Sequence, residues 1–252
     1  MKTYQAISLF LLLVFIPGFA IAGEITAAEI LKKVDEVEKY DHAIAETEQI
    51  ITTSGGDKRL LKIKSWAVET GDSQLSVYTY PKRVKGVKIL MLNDGDDIWS
   101  YSPRTRRIRH LASHAKKQKV MGSDFTYEDM GGGKMSEKYV GMLLKDEVHD
   151  GFDCYVVELK PTPKGPSYEK ITAWIGKHDF VVRKIDYYNE GDSKAFKTLI
   201  LRDVQNISDH LVPMEMTMTN HEDGGTTLNR TLNIDFDTPI KKSRFKSNRL
   251  NR

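Results

Sequence analysis

The stretch VKILMLNDGDDIWSYSPRTRRIRHL, residues 87–111, reads as three short strands joined by two tight turns. Asp94-Gly95 between two apolar runs is a strong two-residue hairpin signal, because the central positions of such a turn need φ > 0. It pairs Asn93 with Asp96, Met91 with Ile98 and Leu90 with Trp99. A second turn at Ser102-Pro103-Arg104-Thr105 sets Tyr101 opposite Arg106 and Trp99 opposite Ile108. Leu90, Trp99 and Ile108 then share one face, and Val87, Ile89, Met91 and Ile98 the other. Apolar side chains on both faces predict a sheet covered from both sides.

The same rhythm runs through most of the chain. Segments rich in Val, Ile, Thr and Tyr alternate with Gly, Asp, Asn and Pro clusters, which predicts strands over 43–53, 58–70, 74–80, 85–92, 97–101, 105–111, 152–160, 168–176, 180–189, 194–205, 211–220 and 226–236. No strand–helix–strand alternation occurs, which argues against parallel-sheet nucleotide folds. Ahead of the strands, Thr26-Ala27-Ala28-Glu29 forms a capping box. Ile30, Leu31, Val34 and Val37 behind it predict an amphipathic helix of about four turns ending near Tyr40. Residues 112–146 break the strand pattern: Met121 to Met130 leads into Gly131-Gly132-Gly133, and 136–146 reads as a short helix, with Tyr139, Val140, Leu143 and Leu144 apolar. An insertion of this length is a candidate lid.

The 252 residues are 40% hydrophobic, 29% charged and 9% aromatic, a globular composition. Their 38 Lys+Arg against 35 Asp+Glu lie too near balance for nucleic-acid binding to lead. One cysteine, Cys154, excludes an intramolecular disulfide framework. Lys2, the apolar run Ile7 to Ile16, Pro17-Gly18 and Ala20-Ile21-Ala22 match a secretory signal peptide cleaved after Ala22. The run is about half the roughly 20 residues that span a bilayer. The expected product is exported, which in a two-membrane cell means periplasmic. Its domain covers 23–240, followed by a basic tail over 241–252 that is expected to be disordered. A second acid-free basic segment holds Arg104, Arg106, Arg107 and Arg109.

Trp99-Ser-Tyr101-Ser-Pro103-Arg104-Thr-Arg106-Arg107-Ile-Arg109, followed by Met121-Gly-Ser-Asp-Phe-Thr-Tyr-Glu-Asp129, resembles the signature of the LolA-like outer-membrane lipoprotein-sorting protein family. The resemblance covers essentially the whole mature chain. It implies a mainly β fold with helices: a single curved antiparallel sheet, an unclosed β-barrel or half-pipe around a hydrophobic cavity, with an N-terminal helix and a helical lid. It also implies carriage of lipid or lipoprotein acyl chains across the periplasm. Relatives with the Trp-x-Tyr-x-Pro pattern are linked to efflux-type transporters, so an inner-membrane transporter of that type or an outer-membrane acceptor is the implied partner. A lipid-sensing regulatory domain that acts through contact with a membrane protein is the alternative.

Candidate cavity residues are Trp66, Leu90, Trp99, Met214, Met216, Met218 and Phe236. The methionines alternate along one strand face, and an unbranched, polarizable side chain repacks around varied shapes; an ordinary core stripe has the same pattern. The arginine segment has two readings. Guanidinium groups could meet phosphates or acidic partners, or they could pair with Asp124, Glu128 and Asp129 and pin the lid. Chemistry is weakly signalled. His110 and His114 lack the glutamate of a zincin, the Asn93 to Asp97 loop lacks calcium-loop spacing, and Cys154 has no evident base. The expectation is no enzyme activity, no cofactor, no metal and no nucleic-acid partner.

Overall fold

The computed structural model describes residues 25–251. The leader expected over 1–22 lies outside the described residues. Thr26 caps the first helix, α1 (Ala27–Val37), through both halves of the capping box: Glu29 N–H donates to Thr26 Oγ1 at 3.2 Å, and Thr26 N–H donates to the Glu29 carboxylate at 2.8 Å. The helix stops a turn earlier than its pattern predicts. The Tyr40 and Asp41 carbonyls accept from the Thr70 and Glu69 N–H groups at 3.0 Å, so the chain is already committed to the sheet there.

Fourteen strands follow: β1 (His42–Thr52), β2 (Lys58–Val68), β3 (Ser73–Tyr80), β4 (Lys88–Leu92), β5 (Asp97–Ser102), β6 (Arg107–Leu111), β7 (Tyr139–Leu143), β8 (Glu147–His149), β9 (Phe152–Pro161), β10 (Lys170–Gly176), β11 (Val182–Tyr188), β12 (Lys197–Ile207), β13 (His210–Asn220) and β14 (Thr226–Asp235). They form one antiparallel sheet in the order β6-β5-β4-β3-β2-β1-β14-β13-β12-β11-β10-β9-β7, with β8 also on β9. It does not close, and the chain is mainly β with few helices.

The Asp94-Gly95 hairpin has its expected register, Leu90 facing Trp99 and Met91 facing Ile98. The next turn is centred one residue later than predicted, with Arg106 in the left-handed region (φ 55), so Trp99 faces His110 and Tyr101 faces Ile108. A slip of two preserves the faces. Two larger expectations fail. The helix predicted over 136–146 is one turn, α2 (Met135–Lys138), followed by strand β7. Gly141 disfavours a helix interior, and here it admits close neighbours: a Cβ on it would lie 2.7 Å from Leu159 and 3.2 Å from Ala27 of α1. The tail over 241–252 is also folded, because Phe245 and Leu250, continuing the five-residue spacing begun at Ile240, pack against Val68, Leu75 and Leu90.

The sheet bends around the segment between β6 and α2. The Glu128 carboxylate accepts from Ser167 N–H at 3.0 Å in the β9–β10 connection. Three residues on, a Cβ on Gly95 in the β4–β5 turn would lie 2.8 Å from Gly131. Three residues reach about 11 Å at most. On a flat sheet β4 and β10, eight spacings apart in the strand order, would be separated by about 38 Å. Ile51, Thr227, Met218, Leu199, Ile185, Ala173 and Val157 face one another in turn across β1, β14, β13, β12, β11, β10 and β9, and they line the inner side. Ile30, Leu31 and Val34 of α1 and Phe125 of the lid pack on one half of it. Val120 packs on the other half, against Ile51, Tyr78, Ile89 and Met91.

Gly132 crosses the β2–β3 turn so closely that a Cβ would meet the Gly71 carbonyl at 2.6 Å. Gly132→Ala is expected to cost about 1–3 kcal/mol by overpacking in urea denaturation. Gly55→Ala, whose nearest neighbour lies 3.9 Å away, is expected to be near neutral.

Candidate functional site

The lid is pinned at three places, each by a group that the strand pattern turns inward. Lys197 opens β12 on the inner face it shares with Leu199 and Leu201. Its ammonium lies 2.6 Å and 2.8 Å from the two oxygens of the Asp129 carboxylate, with both side chains only 2% exposed. Tyr168 donates to Asp129 at 2.7 Å, and Thr126 donates to it from both its N–H and its hydroxyl at 2.7 Å. The rings of Tyr168 and Tyr187 lie 4.6 Å from the Lys197 nitrogen. Burial pulls the Lys197 ammonium below the usual lysine range, with Asp129 opposing it. Burial, reinforced by the Asp129 charge, raises the Tyr168 hydroxyl.

The second pin is Asp124. Its carboxylate accepts from the buried Thr227 hydroxyl at 2.7 Å and from Lys119 at 3.1 Å. The third is Arg59, whose guanidinium donates to the Gly122 carbonyl at 3.0 Å.

Beside the lid and α1 the inner face is only partly covered. Ile63, Ile234, Met216 and Leu201 are half-buried there. Gln49 lies in the same strip, between Leu61 and Asn229, and donates to Asn229 Oδ1 at 2.9 Å. Its own buried Oε1 has no partner among the described residues. The strip is thus mixed: Leu61 and Ile63 of β2 on one side and Met216 and Leu201 of β13 and β12 on the other flank the polar pairs Gln49–Asn229 and Thr47–Thr231 of β1 and β14.

Comparisons with known proteins agree with this architecture. A family model described as "-like: Uncharacterized protein" matches residues 70–252. A domain from Vibrio parahaemolyticus named for outer membrane lipoprotein sorting is 29% identical, with a TM-score of 0.82, 89% of this chain and 98% of that chain being covered. The chain belongs to the LolA-like family. A DUF1329 family protein from Desulfovibrio piger (24% identity, TM-score 0.82, covering 88% and 97%) has the same fold. So has a LolA superfamily protein from Nitrosomonas europaea (20% identity, TM-score 0.73, covering 88% and 98%). No curated protein matches the chain.

This LolA-like sheet divides the seven candidate cavity residues. Met216 lies on the inner strip, Met214 beside it is buried, and Met218 is fully buried in the core under α1. Phe236 follows β14 and packs at a tilt against His210 and Tyr40, at 4.2 Å and 5.9 Å between ring centres. Trp66, Leu90 and Trp99 line up on the opposite, outer face, where the C-terminal segment covers them. One wall was expected; the alternation of strand side chains makes two.

The lid-pinning role expected of the arginines also fails. Arg104, Arg106, Arg107 and Arg109 are exposed and form no ion pair among the described residues. Asp124, Glu128 and Asp129 bond instead to Lys119 and Thr227, to Ser167, and to Lys197 and Tyr168. Sequence reasoning missed Lys197; a lone cation in register with Leu199 and Leu201 was the available signal. Cys154 is buried and its thiol is pushed up by that burial, the opposite of an activated nucleophile.

Removing one partner of a buried pair leaves the other uncompensated, at about 3–5 kcal/mol. Lys197→Met is therefore expected to destabilise by about that amount, and hydrogen exchange across 120–130 is expected to accelerate. The double variant Lys197→Met with Asp129→Leu is expected to cost clearly less than the two single losses together. Additive losses in the denaturation cycle would show that the pair is not coupled.

Proposed function

We propose that this LolA-like chain is a periplasmic carrier that holds a lipid or lipoprotein acyl chain on the inner strip and passes it toward the outer membrane or a transporter, without doing chemistry on it. The half-buried row of Ile63, Ile234, Met216 and Leu201 carries the reading. These four side chains are apolar and lie on the same face as α1 and the lid, with Thr47, Gln49, Asn229 and Thr231 between them, and Met216 can repack around a varied chain. Affinity comes from burying methylenes, roughly 0.8 kcal/mol each. The exposed arginines around the β5–β6 turn suit acidic groups or lipid phosphates on the receiving partner, because guanidinium pairs with both.

No helix among the described residues is long and apolar enough to cross a membrane. The affinity source requires an acceptor with a competing lipid site, because nothing in the reading consumes the cargo.

Met216 and Met218 separate binding from folding. Met216→Asp is expected to abolish transfer of labelled lipid between donor and acceptor vesicles while leaving the thermal midpoint within a few degrees of the parent. Met218→Asp, in the closed core, is expected to prevent folding. If Met216→Asp also unfolds the protein, the strip is core and the proposal fails. Mass spectrometry of protein isolated from its native cells should find co-purifying lipid.

A further inference from the structure

The C-terminal segment does more than cover the outer face. Between Thr238 and Arg249 it leaves a cleft of about 500 Å³ against the sheet, within the size range of small-molecule sites. Its floor is apolar: Ile44, Trp66 and Leu75, with Ile240 from the segment itself. Its rim is cationic: Lys88, Lys241, Arg244 and Arg249, with no Asp or Glu in the lining. The Arg244 guanidinium sits 4.4 Å from the Trp66 ring centre, so the indole holds its planar face while the N–H edges stay available. Lys242 between them turns the other way, to Glu69 at 2.9 Å, and ties the segment down.

We propose that this cleft is a second ligand site, which takes one anionic amphiphile with its phosphate or carboxylate among Arg244, Arg249, Lys241 and Lys88 and its first methylenes on Trp66, Leu75 and Ile44. The fork of guanidinium donors matches a tetrahedral or planar anion. The apolar floor beneath it rewards a hydrocarbon tail that inorganic phosphate lacks. Leu75 faces outward and its neighbour Ser76 inward, so the sheet itself separates this site from the inner strip. The inference does not depend on the carrier reading.

The test uses the purified protein with palmitoyl lysophosphatidic acid as monomers, followed by calorimetry and tryptophan fluorescence. Palmitoyl lysophosphatidylcholine and inorganic phosphate are the comparison ligands. Lysophosphatidic acid is expected to bind at least tenfold more tightly than the zwitterionic lipid, and far more tightly than phosphate. The pair Arg244→Glu with Arg249→Glu is expected to weaken the tighter, charge-dependent component of lysophosphatidic acid binding at least tenfold, and Met216→Asp to leave that component unchanged. Should the double variant fail to fold, the exposed Lys241→Glu repeats the test.

Equal binding of the two lipids would overturn the proposal, as would phosphate binding as tightly as the lipid. Sensitivity to Met216→Asp, with none to the arginine or Lys241 variants, would place the lipid on the inner strip. That outcome would sink the second site and leave the carrier reading standing.

Discussion

The contact between the Lys197 ammonium and the Asp129 carboxylate closes the molecule. An open antiparallel sheet of this length has two bare ends and an inner face that α1 alone covers only in part. The lid extends the cover by running from one half of the sheet to the other, and Asp129 is where it is held. The contact is 2.6 Å long and nearly inaccessible to water. A pair so buried carries a heavy desolvation cost, and here Tyr168, Thr126 and two tyrosine rings share in meeting it. What the arrangement supplies is position: Phe125 and Val120, on the lid just before Asp129, reach opposite halves of the core.

Both faces of the first half of the sheet are apolar, so both need a cover, and the chain uses a different segment for each. The lid takes the inner face. The last residues take the outer one, with Phe245 and Leu250 over Leu75 and Leu90. Because successive strand residues point to opposite sides, the two covers cannot share ligand surface. Any molecule held by Trp66 is a full sheet thickness away from one held by Met216.

Much of this was legible in the sequence. The strand rhythm, the capping box and the Asp94-Gly95 register all follow from local chemistry and are found as expected. What escaped depends on long-range placement. β7 looks helical because Tyr139, Val140 and Leu143 fit either period, and only the neighbouring α1 and β9 give Gly141 its role. The tail looks disordered because six basic residues mask two apolar ones, Phe245 and Leu250. The arginines sit next to the lid acids in sequence, but Arg106 turns a hairpin away from them, while Lys197, nearly 70 positions downstream of Asp129, returns to the lid through the curvature of the sheet. The family resemblance identified the fold, but it could not say which side of each strand faces in.

The pairing of β1 with β14 joins strands whose partner residues, such as Ile50 and Leu228, are separated by most of the described chain. The centre of the sheet is therefore assembled from its two sequence extremes. A chain emerging from synthesis has β1 available long before β14, and the inner core beside β1 cannot close until the last strand arrives. Contacts this distant in sequence make folding slow. An architecture of this kind favours a polypeptide that folds as a unit once its final strand is available.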